Sequence, residues 1–183
     1  GNDDAVDGDP LVISAVQDAL HGSVAIVAGN VVFTPDAGYV GPASFSYTVS
    51  DGNGGFDTAT VNVTVENTLP IAQNDDASVD ADQIKTVSAE QGIILSTSID
   101  AGRDTDPDGD ALTVTQAVAG TGVPSTAVSP AGITLVGTYG DLLLRSDGSY
   151  VYTANRAGSI ATGTQMDDVF TYEVADTHDG RAT

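Results

Sequence analysis

The stretch Phe45-Ser46-Tyr47-Thr48-Val49-Ser50-Asp51 is answered later in the chain by Phe170-Thr171-Tyr172-Glu173-Val174-Ala175-Asp176. In both, aromatic and branched apolar residues alternate with smaller or polar ones, the period of a half-buried strand in an antiparallel sheet. Val61, Val63 and Val65 alternate with Asn62 and Thr64 in the same way. Apolar residues spaced by three and four are nearly absent, so helices are not expected. Short strands separated by Gly-Asn, Asp-Gly and proline-containing turns predict an all-β chain of Ig-like antiparallel β-sandwiches.

Working outward from the two matching strands, Gly8-Asp9-Pro10-Leu11 corresponds to Gly109-Asp110-Ala111-Leu112, an offset of 101 residues. Val31-Val32-Phe33-Thr34 corresponds to Tyr150-Val151-Tyr152-Thr153, and Ala59-Thr60 to Ala182-Thr183. The chain is therefore expected to hold two tandem modules, residues 1–66 and 77–183, joined by a linker at 67–76 in which Pro70 favours an extended path. The first copy has no counterpart of roughly residues 74–101, and the second has none of the Val61–Val65 strand. Both sandwiches are thus expected to be incomplete, each with an open sheet edge. An excerpt of a longer array explains this, as does a neighbouring copy that supplies the strand by β-augmentation and so builds a head-to-tail fibre.

Charge narrows the function. Of 183 residues, 26 are Asp or Glu and only 5 are Lys or Arg, a formal charge of −21. Nucleic acid and anionic membrane surfaces bind through Lys and Arg, so both are excluded as partners. No run of 18 apolar residues appears, so membrane insertion by a helix is not expected either, and no basic-then-apolar leader opens the chain. The expectation is a soluble protein or, in preference, an internal piece of an exported one. Without cysteine there is neither a disulfide framework nor a thiolate zinc site. The acid is 23 Asp against 3 Glu, a choice that belongs to turns and oxygen-ligand loops rather than to helical surfaces.

The strongest chemical signal is Asp104-Thr105-Asp106-Pro107-Asp108-Gly109-Asp110, with a carboxylate at every second position and a glycine where the backbone turns. Such spacing lets successive side chains converge on one hard cation, as in the first half of an EF-hand loop. Thr115 stands where an EF-hand would have its closing Glu, so further ligands must come from elsewhere. In a seven-strand sandwich, the run after the second strand (about Gly92 to Ile99), Ser146-Asp147-Gly148, the loop Asp176-Thr177-His178-Asp179-Gly180 and the entering Asn74-Asp75-Asp76 share one end. Carboxylates about 4 Å apart repel by ~1 kcal/mol in water and ~4 kcal/mol at an effective dielectric of 20. Oxygen ligands and high charge select Ca²⁺. Asp104, Asp106, Asp108 and Asp110 are the expected ligands, with Asp75, Asp76 and Asp176 as partners. The first copy offers Asp3, Asp7 and Asp9, with Ala5 in place of Asp106, and Asp51 in place of Asp176. The competing reading is that Asp-Gly loops are good turns whose charge faces solvent.

Phe33-Thr-Pro-Asp-Ala-Gly-Tyr-Val-Gly41 followed by Phe45 to Gly55 resembles the cadherin-like tandem repeats of giant bacterial surface adhesins. Asp104 to Thr183, with Asp147-Gly-Ser-Tyr-Val-Tyr-Thr153 inside it, is similar to the VCBS repeats of the same proteins. The resemblance implies an Ig-like sandwich, Ca²⁺ in acidic loops and linkers, a bacterial cell-surface setting, and a spacer or adhesin role among neighbouring repeats. Arg103 stands where an Asn is usual in that family, and the glycine-rich nonapeptide repeats of type I secreted relatives are absent.

Catalysis is not expected: His21-Gly22-Ser23 lacks the strained strand-to-helix elbow and an identifiable second partner, and His178 sits inside an acidic loop. A carbohydrate-binding module is the rival, with Tyr39 and Tyr139 outside the alternating strands as its candidate stacking rings and Tyr39 better suited to packing a corner. A Lys85 isopeptide crosslink is the third possibility, disfavoured by a surface position. Asn62-Val63-Thr64 fits a glycosylation sequon inside a strand.

Overall fold

The computed structural model describes residues 3–5, 8–94, 102–156, 158, 160–161 and 163–183. The chain divides into two units, Gly1–Asn67 and Thr68–Thr183, with nearly all regular structure in strands. Residues 68–76, expected as linker, belong to the second unit, where Ile71 and Thr105 exchange backbone hydrogen bonds of 2.8 and 3.0 Å. Asp7 and most of the strand expected at about Gly92 to Ile99 lie outside the described residues, while Gly92, Ile93 and Ile94 form a bend and turn.

In unit 1, β1 (Val12–Leu20), β4 (Gly41–Ser50) and β5 (Phe56–Val65) form an antiparallel sheet with β4 at its centre. β2 (Gly22–Val27) and β3 (Asn30–Pro35) form a separate hairpin. Its two-residue loop has positive φ at both Ala28 (50°) and Gly29 (81°), the type I′ geometry whose twist matches the flanking strands. Alternation puts Phe45, opposite Val61, on the inner face of its sheet, and its ring stacks on Phe33 of the hairpin at 5.8 Å. The core is thin: among the described residues only Ala43 and Phe45 are buried apolar groups of this unit.

Unit 2 contains β6 (Ile84–Val87), a short 3-10 turn at Ala89–Gln91, β7 (Thr113–Ala119), β8 (Thr126–Ala127), β9 (Ile133–Val136), β10 (Asp141–Leu144), β11 (Tyr150–Thr153), β12 (Phe170–Ala175) and β13 (Arg181–Ala182). The sheets run β6-β11-β10-β9 and β13-β12-β7-β8. Between them Ile93, Ile94, Val114, Ala117, Leu135, Leu142, Leu144 and Val174 form one buried cluster.

The repeat survives in three dimensions. β4 lies between β1 and β5 as β12 lies between β7 and β13, and the hairpin β2-β3 corresponds to β10-β11. The sequence offset grows from 101 at Gly8/Gly109 to 125 at Phe45/Phe170, partly because β8 and β9 occupy the connection that His21 alone makes in unit 1. One correspondence moves by two residues. Ser50 pairs with Phe56 and Ala175 with Arg181, so Asp57, not Ala59, corresponds to Ala182. The reason is local: the turns after Asp51 and Asp176 have the same length.

Candidate cation site

Three aspartates build the same turn. Asp106 Oδ1 accepts hydrogen bonds from the backbone amides of Asp108 (2.9 Å) and Asp110 (3.2 Å). Asp51 Oδ1 takes those of Asn53 (2.8 Å) and Gly55 (2.9 Å), and Asp176 Oδ1 takes those of His178 (2.7 Å) and Gly180 (2.8 Å). A carboxylate capping the amides two and four residues on is the Asx-turn chemistry for which Asp is suited. The Asn53 and Gly55 amides hold the Asp51 carboxyl below its ordinary range. The turn reading of these residues is therefore realised alongside whatever else they do.

The run at 104–110 does not point its carboxylates at one spot. Asp104, 2% exposed, accepts the Gln73 amide at 2.8 Å. Asp108 receives the Thr68 amide at 2.6 Å and the Thr68 hydroxyl at 3.1 Å. Asp110 Oδ2 lies 2.8 Å from His178 Nδ1. Asp147 is turned to Ser149, whose amide (2.9 Å) and hydroxyl (2.6 Å) both donate to it. Among the described residues, no three Asp, Glu or His side chains gather closely enough to hold a metal ion in this conformation. Asp104, Asp106, Asp110 and Asp147 do border one cavity of about 490 Å³, which Arg103 also lines.

What the structure brings together instead is Asp75, Asp104 and the hydroxyl of Tyr172. That hydroxyl lies 2.8 Å from Asp75 Oδ2, 3.2 Å from Asp104 Oδ2 and 3.1 Å from the Gln73 carbonyl. A phenol has one proton to donate, so only one of these acceptors can be satisfied by it at a time. Burial, with the charges of Asp104 and Asp76, pushes the Asp75 carboxyl up to about 6 against the pull of the Tyr172 hydrogen bond. Burial raises Asp104 as well. The Tyr172 phenol is driven far upward by burial and by both carboxylates. Two further atoms, Asp75 Oδ1 and Asp106 Oδ2, are buried without a hydrogen-bond partner. The donors that meet at Tyr172 are all hard oxygens, a chemistry that would suit calcium better than a softer metal, with Asp75 and Asp104 the two carboxylates among them.

Unit 1 repeats parts of this arrangement. Tyr47 donates to Asp3 at 2.7 Å, as Tyr172 does toward Asp75 and Asp104, and Asn53 donates to Asp9 at 2.7 Å where His178 meets Asp110. Tyr172, Thr68 and His178 as partners were not legible as such: alternation assigns Tyr172 to the core, and nothing in a period-2 pattern says where a phenol ends. A Tyr at the same place in both copies, each needing a partner for its hydroxyl, is the signal that could have found the contact.

The alternatives meet different geometry. Tyr39 stacks on His21 at 4.2 Å and its hydroxyl donates to the Pro42 carbonyl at 2.6 Å, so it serves the corner of unit 1. Tyr139 borders a second cavity of about 670 Å³, together with Lys85, Tyr150, Tyr152 and Phe170. Lys85 is exposed.

Residues 1–64 match the bacterial Ig domain and residues 67–183 the bacterial cadherin-like domain. No curated protein matches the chain. Domains of these two kinds are typically non-enzymatic structural modules of extracellular, adhesin-type surface proteins, and among the described residues no helix is long and apolar enough to cross a membrane. With an all-β architecture, a two-module repeat and a match covering most of its length, the chain belongs to the bacterial cadherin-like domain family.

Proposed function

We propose that the protein is a calcium-stabilised extender module of a bacterial surface adhesin, one that holds its place in a tandem array with other repeats. The observation that carries the reading is the pair of a half-buried Asp75 and a buried Asp104 around one hydroxyl, with Asp75 Oδ1 left without a partner. Asp75 and Asp104 would hold the ion, with Asp76 and Asp106 drawn in from beside them in sequence when it binds, and it supplies the positive charge that the two desolvated carboxylates lack. Asp110 borders the same cavity as Asp104 and Asp106, and Asp108 has a separate task. By taking the Thr68 amide and hydroxyl it fastens the start of the segment that leads into unit 2. An anchored entry is what a spacer needs if an array is to project rather than fold back.

The test is thermal unfolding with calcium and with chelator at equal ionic strength, alongside calorimetric titration of the metal-free chain. A ligand that binds only the folded state at a hundred times its Kd adds about 2.7 kcal/mol. Calcium is expected to raise the unfolding temperature of unit 2. Identical melting in calcium, magnesium and chelator would overturn the reading.

A further inference from the structure

We infer that Asn53, in the turn between β4 and β5, is a self-modification site: its side-chain amide is lost through a succinimide, and the carboxylate that replaces it breaks the contact tying the chain ahead of β1 to that turn. Asp51-Gly52-Asn53-Gly54-Gly55 joins Ser50 of β4 to Phe56 of β5, and of the asparagines in the chain only Asn53 is followed by a glycine. Cyclisation requires the next backbone nitrogen to reach the Asn side-chain carbon, and this turn leaves it free to do so. Gly54 has no side chain to obstruct the approach, and beyond its chain neighbours no heavy atom lies within 4 Å of where a Cβ would stand. Asp51 Oδ1 takes the amides of Asn53 (2.8 Å) and Gly55 (2.9 Å), while the Gly54 amide between them is the most weakly held of the three. Asn53 and Gly54 are both exposed, so water reaches the reacting atoms.

The Gly54 nitrogen gives its proton to solvent and bonds to Asn53 Cγ. The Cγ–Nδ2 bond breaks, and Nδ2 leaves as ammonia with a proton taken back from solvent. Water then opens the five-membered ring at one of its two carbonyls and leaves aspartate or isoaspartate in place of the asparagine. What disappears is a donor. Asn53 Nδ2 donates to Asp9 Oδ2 at 2.7 Å, across 44 positions of sequence, and so fastens the segment before β1 to the turn. A carboxylate in its place has no proton to give at neutral pH and faces another carboxylate instead. Unit 2 makes the corresponding contact with a side chain that cannot cyclise. His178 stands two residues after Asp176 as Asn53 stands two after Asp51, and its Nδ1 lies 2.8 Å from Asp110. The tether of unit 1 is therefore perishable and that of unit 2 is not.

The experiment ages the full chain in mildly alkaline, calcium-free buffer at body temperature and follows each asparagine by peptide-mapping mass spectrometry, with enzymatic detection of isoaspartate. Asn53 is expected to convert roughly tenfold or more faster than Asn30 and Asn62, each followed by valine, and to give both isomers. Two variants separate the chemistry from its consequence. Asn53→Asp, which fixes the charge of the product, should lower the unfolding temperature of unit 1 by roughly 4–8 °C and leave unit 2 unmoved. Asn53→His, which copies the unit 2 contact, should hold the parent's value and keep it on ageing, whereas the aged parent drifts toward Asn53→Asp. Conversion at Asn53 no faster than at Asn30 overturns the inference, as does an Asn53→Asp chain that unfolds at the parent's temperature.

Discussion

At the scale of residues, Asp75 is the most informative group in the molecule. Its carboxyl rises on folding from the ordinary 3.8 to about 6, so the folded state holds that proton more tightly than the unfolded one. Its contribution to metal-free stability is fully present below about 3.8 and is lost as pH rises through about 6. Discounted for a group only half withdrawn from solvent, the loss is about 1–2 kcal/mol. Urea titrations of the metal-free chain between pH 4 and 7 are expected to show that decline, and Asp75→Asn to remove it while raising stability at pH 7. The same variant should blunt the gain from calcium. A steeper pH dependence in Asp75→Asn than in the parent would contradict the assignment. Tyr172→Phe removes the proton that one of the two carboxylates receives and is expected to cost about 1–2 kcal/mol in unit 2. Tyr47→Phe, at a more exposed site, should cost less than half of that by the same unfolding measurement.

At the scale of elements, single turn residues have effects that can be measured separately. Ala28 sits at φ 50° in the β2-β3 turn, where Asn is far better tolerated, so Ala28→Asn should stabilise unit 1 by about 0.5 kcal/mol in thermal unfolding. Asp168 does the opposite kind of work in unit 2. Burial alone would raise its pKa, but the Tyr152 hydroxyl (2.6 Å) and the amides of Tyr139, Thr138 and Gly140 outweigh it and keep the carboxylate ionised. Asp168→Ala orphans four donors and is expected to cost about 2–4 kcal/mol, read as an earlier unit 2 transition. Strands of the Phe45 and Phe170 type could be read directly, because alternation over six or more residues is a strong signal. β8 and β13, two residues each, have no period to read, and β13 found its true register only through the turn before it.

At the scale of the molecule, two units with unequal cores should unfold in two steps. Among the described residues unit 1 has two buried apolar residues and unit 2 a cluster of eight, so calorimetry is expected to show unit 1 melting first, with calcium moving only the later transition. Coincident transitions that shift together would mean that the units are coupled. The charge of −21 adds self-repulsion that monovalent salt screens, so both transitions should rise between about 10 mM and 150 mM sodium chloride. The all-β class, the doubled module and the aspartate turns were determined by the amino-acid sequence alone, since period and turn chemistry are local properties. Which carboxylates meet was decided only by tertiary structure. Strand pairing set Asp75 and Asp104 around Tyr172 while Asp108 turned to Thr68, because contacts between distant loops depend on register, and register is a property of the assembled sheets.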